Sequence, residues 1–233
     1  MTMKKVNFAL FALLLVSLFS GCSKDEESEI KLTKISLNEN ALTLIHNDVS
    51  ELSVNEDVDV EWSSLDPFVA TVDENGIVHA HHVGGTIIEA KTADGLSDVC
   101  IVEVMPLYFT FKEPYIEWGK TQADVLAGQD FARDYNNDGT EVSCTQSTGK
   151  IFSARYLIDP EKGLYYAELQ IKGDYEQEIY KFLEERYFYV GITDGVRYYM
   201  HGLSTDNYDY AVCCYRVKHN SKTYIAVAYI CKD

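Results

Sequence analysis

The hydrophobic pattern opens with one uninterrupted apolar run, "FALFALLLVSLF" (8–19), set behind Lys4 and Lys5 and ahead of Ser20 and Gly21. A run of that length is too short to span a bilayer comfortably, and its positive start and small-residue end are the layout of a secretory signal. The next stretch, "SKDEESE" (23–29), offers nothing to bury and reads as a solvated acidic tether. From 30 to 105 the apolar segments turn short: "ALTL", "SELSV", "VDVEW", "TIIEAKT" and "DVCIVEV" read as strands, with "DENG" as a tight turn. Short strands at that spacing predict an all-β sandwich. In "DVCIVEV" the alternation places Val99 and Ile101 on one face and their neighbours on the other, as a half-buried strand requires. Trp62 is placed to fill the space between two sheets.

Beyond Leu107 the pattern becomes mixed. "LYFTFKEPYIEW" (107–118) is strand-like up to Pro114. Thr121 with Asp124 three residues on predicts a helix start, and Ala123, Ala127 and Phe131 recur at spacing four as its apolar stripe. Strands are expected at 141–144, 151–158 and 164–171. A second helix is expected in "GDYEQEIYKFLEERYF" (173–188), capped by Asp174, with Tyr175, Ile179, Phe182 and Arg186 on one face and Glu176, Glu184 and Glu185 facing water. Three more strands follow at 196–201, 208–217 and 224–231, the last two joined as a hairpin by "KHNS" (218–221). Helix, three strands, helix, three strands suggests an internal duplication, built as one curved antiparallel sheet with both helices on one face.

Three segments carry family resemblances. "VEWSSLDPFVATVDENGIVHAHHVGGTIIEAKTADGLSDVCIVEV" resembles a bacterial immunoglobulin-like domain of group 2 through Trp62, Ser63, Ser64, Val69, Ala70, Thr71, Val72, Asp73, Gly76, Val78, Gly85 and Thr86. The part between Leu44 and Val60 is shorter than is usual there and lacks the usual Gly, which implies a trimmed hairpin. The resemblance implies a β-sandwich used for presentation or adhesion at cell surfaces, often only as a spacer. Ser20, Gly21 and Cys22 resemble the lipobox of bacterial lipoproteins, in which the Cys is acylated, and Lys24 with the acids behind it resembles a short surface-export signal. The expected organisation is therefore a lipoprotein signal peptide (1–21), a tether (22–29), an all-β Ig-like sandwich (30–105) and an α+β domain with an antiparallel sheet and two helices on one face (106–233). "WGKTQADVL" (118–126) also resembles, over a few residues, the start of domains found in surface lipoproteins, in small outer-membrane assembly lipoproteins and in β-lactamase-inhibitor-like folds.

Composition sharpens the boundary and narrows the partners. All 17 tyrosines fall from Tyr108 onward, so two different folding units meet near "VMPLY". A net charge of −17 repels phosphate backbones and argues against nucleic acid as a partner. With Cys22 set aside as a lipid attachment point, five cysteines remain, an odd number that argues against a disulfide framework. A turn at His219 and Asn220 would set Cys214 opposite Ile225, leaving Cys231 across from neither Cys213 nor Cys214. His79, His81 and His82 lack the ligand set of a structural zinc and read as a solvated polar turn. Asp134, Asn136 and Asp138 fit the first positions of a calcium loop, but Thr145 stands where a bidentate carboxylate belongs, so the turn reading is preferred.

Adjacent helical carboxylates such as Glu184 and Glu185 do not converge on a substrate, and no catalytic residue or cofactor is nominated. The pairs Tyr165/Tyr166, Tyr198/Tyr199 and Tyr208/Tyr210 are the candidate recognition platforms. The expectation is a non-enzymatic outer-membrane lipoprotein, exposed at the cell surface and held by acyl chains on Cys22. Its sandwich is a spacer, and its Tyr-rich domain recognises a glycan or a protein. The alternatives are an enzyme or enzyme inhibitor of polysaccharide processing, or a structural part of an outer-membrane complex.

Overall fold

In the computed structural model, residues 32–131, 139–146 and 149–232 are described; Cys22 and the calcium candidates Asp134, Asn136 and Asp138 lie outside them. The alternating segments of the N-terminal half become β1 (Ala41–Ile45), β2 (Val49–Glu51), β3 (Glu61–Ser64), β4 (Ala70–Val72), β5 (Ile77–Ala80), β6 (Gly84–Lys91) and β7 (Ser97–Met105). They form a four-stranded sheet in the order β1-β7-β6-β3 and a three-stranded sheet in the order β2-β5-β4. β1 runs parallel to β7, and the other pairings are antiparallel. The period-two pattern is read out directly in β7, where Cys100, Val102 and Val104 are buried while Val99, Ile101 and Met105 face outward. Ser64 Oγ donates to the Ala70 carbonyl at 2.7 Å, tying one sheet to the other. Gly76, at φ +81°, allows a close approach: a Cβ there would meet the Leu52 carbonyl at 2.2 Å and the Trp62 ring at 3.1 Å.

The C-terminal half is built from α1 (Gln122–Gly128), β8 (Glu141–Thr145), β9 (Ile151–Asp159), β10 (Gly163–Lys172), α2 (Glu176–Glu184), β11 (Phe188–Thr193), β12 (Val196–Gly202), β13 (Tyr208–His219) and β14 (Lys222–Cys231). One seven-stranded antiparallel sheet runs in the order β11-β12-β13-β14-β10-β9-β8. Val125 of α1 and Ile179, Phe182 and Leu183 of α2 share one core with Ala154, Tyr156, Leu169, Val227, Tyr229 and Tyr199, which alternate onto a single face of the sheet. Both helices therefore lie on that inner face.

Several local expectations are corrected. Residues 107–118 form no strand, although Phe111 is buried and Phe109 is exposed. The capping box at Thr121 and Asp124 is present, but α1 buries Val125 and leaves Ala123 and Ala127 exposed, so its apolar stripe is rotated from the expected one. Asp174 falls in a 3₁₀ turn (Gly173–Tyr175) and does not cap α2. Past Glu184 the aromatic and β-branched run Phe188, Tyr189, Val190 and Ile192 becomes β11, a fourth strand that the expected three-strand repeat lacks. Asn220 and Ser221, both left-handed at φ 47° and 67°, make the last turn. That shifts the turn by one residue, so Cys214 faces Val227 rather than Ile225, and Cys231 faces Tyr210.

The largest correction concerns Glu185. Expected on a solvated face, it is 1% exposed. Its carboxylate accepts the backbone N–H groups of Leu107 at 2.9 Å and Tyr108 at 3.0 Å, both just past β7, and pairs with Arg186. Arg186 reaches on to the Tyr108 carbonyl at 3.3 Å and lies 3.7 Å over the Phe182 ring. The Glu185 carbonyl accepts from Val83 N–H at 2.8 Å, adding a bond to the turn before β6. Phe68 stacks on His82 and lies 4.9 Å from His201 in β12. Lys34–Asp233 thereby forms one compact unit. Removing one partner of a buried, hydrogen-bonded charge costs roughly 3–5 kcal/mol. Glu185→Ala should therefore lower the stability of the chain by about that amount in urea unfolding, far more than Glu184→Ala on the exposed side of the same turn.

Candidate functional site

The outer face of the seven-stranded sheet carries no helix among the described residues. Register defines what it displays. One row runs Leu157, Tyr166, Ile230, Ala211, Met200 and Phe188; the next runs Arg155, Glu168, Ala228, Cys213, Tyr198 and Gly191; a third runs Ser153, Gln170, Ala226 and Tyr215, and Val196 pairs with Thr193 at the sheet edge. Small residues fill the middle and large rings stand around them. Ala226 and Ala228 leave room for neighbouring rings to lean across the floor, and they lean toward one carboxylate.

That carboxylate is Glu168, only 7% exposed on a face that bears no helix. One oxygen accepts the Tyr166 hydroxyl at 2.6 Å and the Tyr215 hydroxyl at 2.7 Å; the other accepts the Gln170 side-chain N–H at 2.9 Å. Gln170 in turn contacts His219 at 2.9 Å, and His219 sits beside the rings of Phe152 and Tyr224. Carboxylates rarely lie buried without such partners. Here the acid acts as a fixed acceptor that holds two phenols at set positions. Arg155 on the next strand is taken up by Glu141 in a bidentate pair at 2.9 and 3.0 Å. The centre of the face is thus aromatic and amide in character, with its charges internally satisfied.

Beside one end of the sheet, between α2 and the β11–β12 pair, lies a cleft of about 610 Å³ bordered by Gln177, Tyr180, Ile192, Arg197, Tyr215 and Arg216. Its two cations are also occupied. Arg197 lies 4.0 Å over the Tyr180 ring and 3.8 Å from Glu184, and Arg216 makes a bidentate pair with Glu176 at 2.8 and 2.7 Å. With both arginines matched by carboxylates, the cleft has no surplus positive charge to attract an anion.

The six tyrosines nominated from sequence separate. Tyr166 and Tyr198 stand on the outer face, joined by Tyr215, which the sequence reading missed. Tyr165 sits at a β-bulge and is exposed. Tyr199 is fully buried against the helices and is withdrawn as a platform residue, because adjacent strand residues point to opposite faces. Tyr210 is on the inner face, stacked on His201 and 3.4 Å from the Tyr187 hydroxyl. Tyr208 is at the start of β13 with Lys232 over its ring at 4.3 Å. The histidines are also redistributed: His81 contacts the Thr71 hydroxyl at 2.8 Å, and His82 is packed on Phe68, where burial keeps it below the ordinary imidazole value. They are structural contacts rather than a solvated turn. Glu168, Gln170 and Tyr215 were legible only as every-second positions on β10 and β13, a signal that the register makes plain.

Comparison with known proteins bears on the N-terminal half. Residues 37–102 match the family model of the bacterial Ig-like domain (group 2). The match covers the β1–β7 region, and the seven-stranded sheet lies outside it. No curated protein matches the chain significantly. Among solved structures, one of surface layer protein SbsC, domains 1-6, is similar at 13% identity and a TM-score of 0.27. That alignment covers 86% of this chain and 21% of the other, so the chain spans about a fifth of that protein's length.

Burial together with the bond to Glu168 pushes the Tyr215 phenol up to about 12 and raises that of Tyr166 as well. Phenols held above their ordinary value stabilise the fold fully below that value, and the contribution is lost as the pH rises through the raised one. Alkaline titration of tyrosinate absorbance should show the Tyr215 step near pH 12. Glu168→Gln should move that step toward the ordinary phenol range, and a step that stays in place would show burial alone to be responsible.

Proposed function

We propose that this chain is a non-enzymatic cell-surface binding module that recognises an extracellular glycan on the outer face of its seven-stranded sheet. The observation that carries the reading is the Glu168-centred floor, where Tyr166 and Tyr215 are fixed by a buried acceptor and Tyr198 and Phe188 extend the ring surface. Pre-positioned rings cost little conformational entropy on binding. Satisfied charges leave stacking and neutral hydrogen bonding as the available chemistry, which suits sugar rings better than a charged ligand. The Ig-like match at 37–102 supports placement at a cell surface, with that segment as a spacer.

In the same proposal, residues 1–21 are a lipoprotein signal peptide and Cys22 carries the acyl chains. Residues 22–29 form the tether that holds the Ig-like domain (30–105) and the Tyr-rich domain (106–233) at the outer membrane. Several acyl chains on one residue anchor firmly, each buried methylene adding about 0.8 kcal/mol.

The test is an array of neutral and acidic glycans together with matrix proteins, probed with the purified full chain. Binding to neutral glycans is expected. Tyr166→Ala, Tyr198→Ala and Tyr215→Ala should each weaken it by about tenfold, equivalent to ~1.4 kcal/mol, whereas Tyr208→Ala should not. Binding to proteins alone, or binding that survives all three substitutions, contradicts the reading.

A further inference from the structure

A second surface stands apart from the tyrosine floor. β11 closes one end of the sheet and, among the described residues, is paired only with β12. Its sequence, FYVGIT, contains no charge, and Phe188, Tyr189, Val190 and Ile192 are all exposed, Ile192 at 55%. Edge strands in monomers are usually guarded by charges, by proline or by a covering loop, because their unpaired N–H and C=O groups template further pairing. The edge at the other end of the sheet is different: β8 alternates buried with exposed positions and carries Glu141, which is paired with Arg155. β11 has one protective feature, a bulge at Val190 between the Tyr189 and Gly191 pairings.

We propose that β11 is a self-association edge, pairing antiparallel with β11 of a second copy of this chain. The pairing register follows from the strand's own faces. Phe188, opposite Met200, and Thr193, opposite Val196, lie on the outer face; Tyr189, opposite Tyr199, and Ile192, opposite Arg197, lie on the inner face. A two-fold axis passing between Val190 and Gly191 sets Phe188 against Thr193 of the second copy and Tyr189 against its Ile192. Every partner then falls on the matching face, and each contact occurs twice, as an isologous interface requires. The same axis puts the bulged Val190 against Gly191, the one residue of the strand without a side chain, so the bulge is accommodated where it would otherwise clash. No like charges meet within the strand, which matters for a chain whose net charge of −17 opposes self-association over the rest of its surface. The product is a continuous sheet through both copies, with the two outer faces on the same side.

Sedimentation velocity of the full chain over a wide concentration range tests this. The wild type should show a concentration-dependent dimer. Ile192→Lys and Thr193→Lys, each of which puts a charge at the edge, should weaken dimerisation at least about tenfold while the circular dichroism spectrum and thermal midpoint stay those of the wild type. Amide exchange at 188–193 should slow as the dimer forms. A wild type that stays monomeric throughout overturns the proposal, as does a dimer that both folded variants retain. Dimerisation of Tyr166→Ala, expected to match the wild type even where its glycan binding is lost, keeps this test separate from that of the tyrosine floor.

Discussion

The architecture depends on one buried carboxylate placed where the chain changes from one β system to the other. Glu185 ends α2, and its oxygens take the amides of Leu107 and Tyr108 at the point where the chain leaves β7. A linker in that position would ordinarily satisfy its backbone with water and swing freely. Captured by an acid that is itself paired with Arg186, the linker is as fixed as the helix that holds it. The cost of burying the charge is offset by two amide donors and a guanidinium. The helix-bearing face of the sheet is set separately, by the core that Val125, Ile179, Phe182 and Leu183 share with it.

The same device recurs on the outer face with a different outcome. Glu168 is also a nearly buried carboxylate with three donors, but these are two phenols and a glutamine side chain instead of backbone amides. At Glu185 an acid fixes main chain and sets architecture; at Glu168 an acid fixes rings and shapes a surface. Small neighbours make the second possible. With Ala226 and Ala228 as the floor, Tyr215 reaches diagonally across to the acid on β10, a reach that larger side chains in those places would block.

Much of this was written locally and some of it was not. Strands such as β7 announce themselves because one face is buried and the other is wet, so alternation survives into structure. The capping box at Thr121 is likewise a matter of residues three apart. The pairing of adjacent tyrosines as joint platforms failed on a local rule, since Tyr198 and Tyr199 cannot share a face in a strand. Glu185 failed for the opposite reason. Its helix position looks solvated, and only partners 77 and 78 residues away give it a buried role. β11 was missed: the expected helix ran on to Phe188 because no Gly or Pro marks the stop after Glu184, and 189–195 carried no strand expectation. The one-residue error in the last turn came from Ser221, whose left-handed backbone is uncommon for that residue type.

If Glu185 fuses the two β systems, the Ig-like segment and the seven-stranded sheet must lose their structure together. Differential scanning calorimetry of the full chain measures this directly. A single transition whose calorimetric and van't Hoff enthalpies agree is the predicted result. Two resolved transitions, one for each β system, would contradict it and leave the junction as a contact without mechanical consequence.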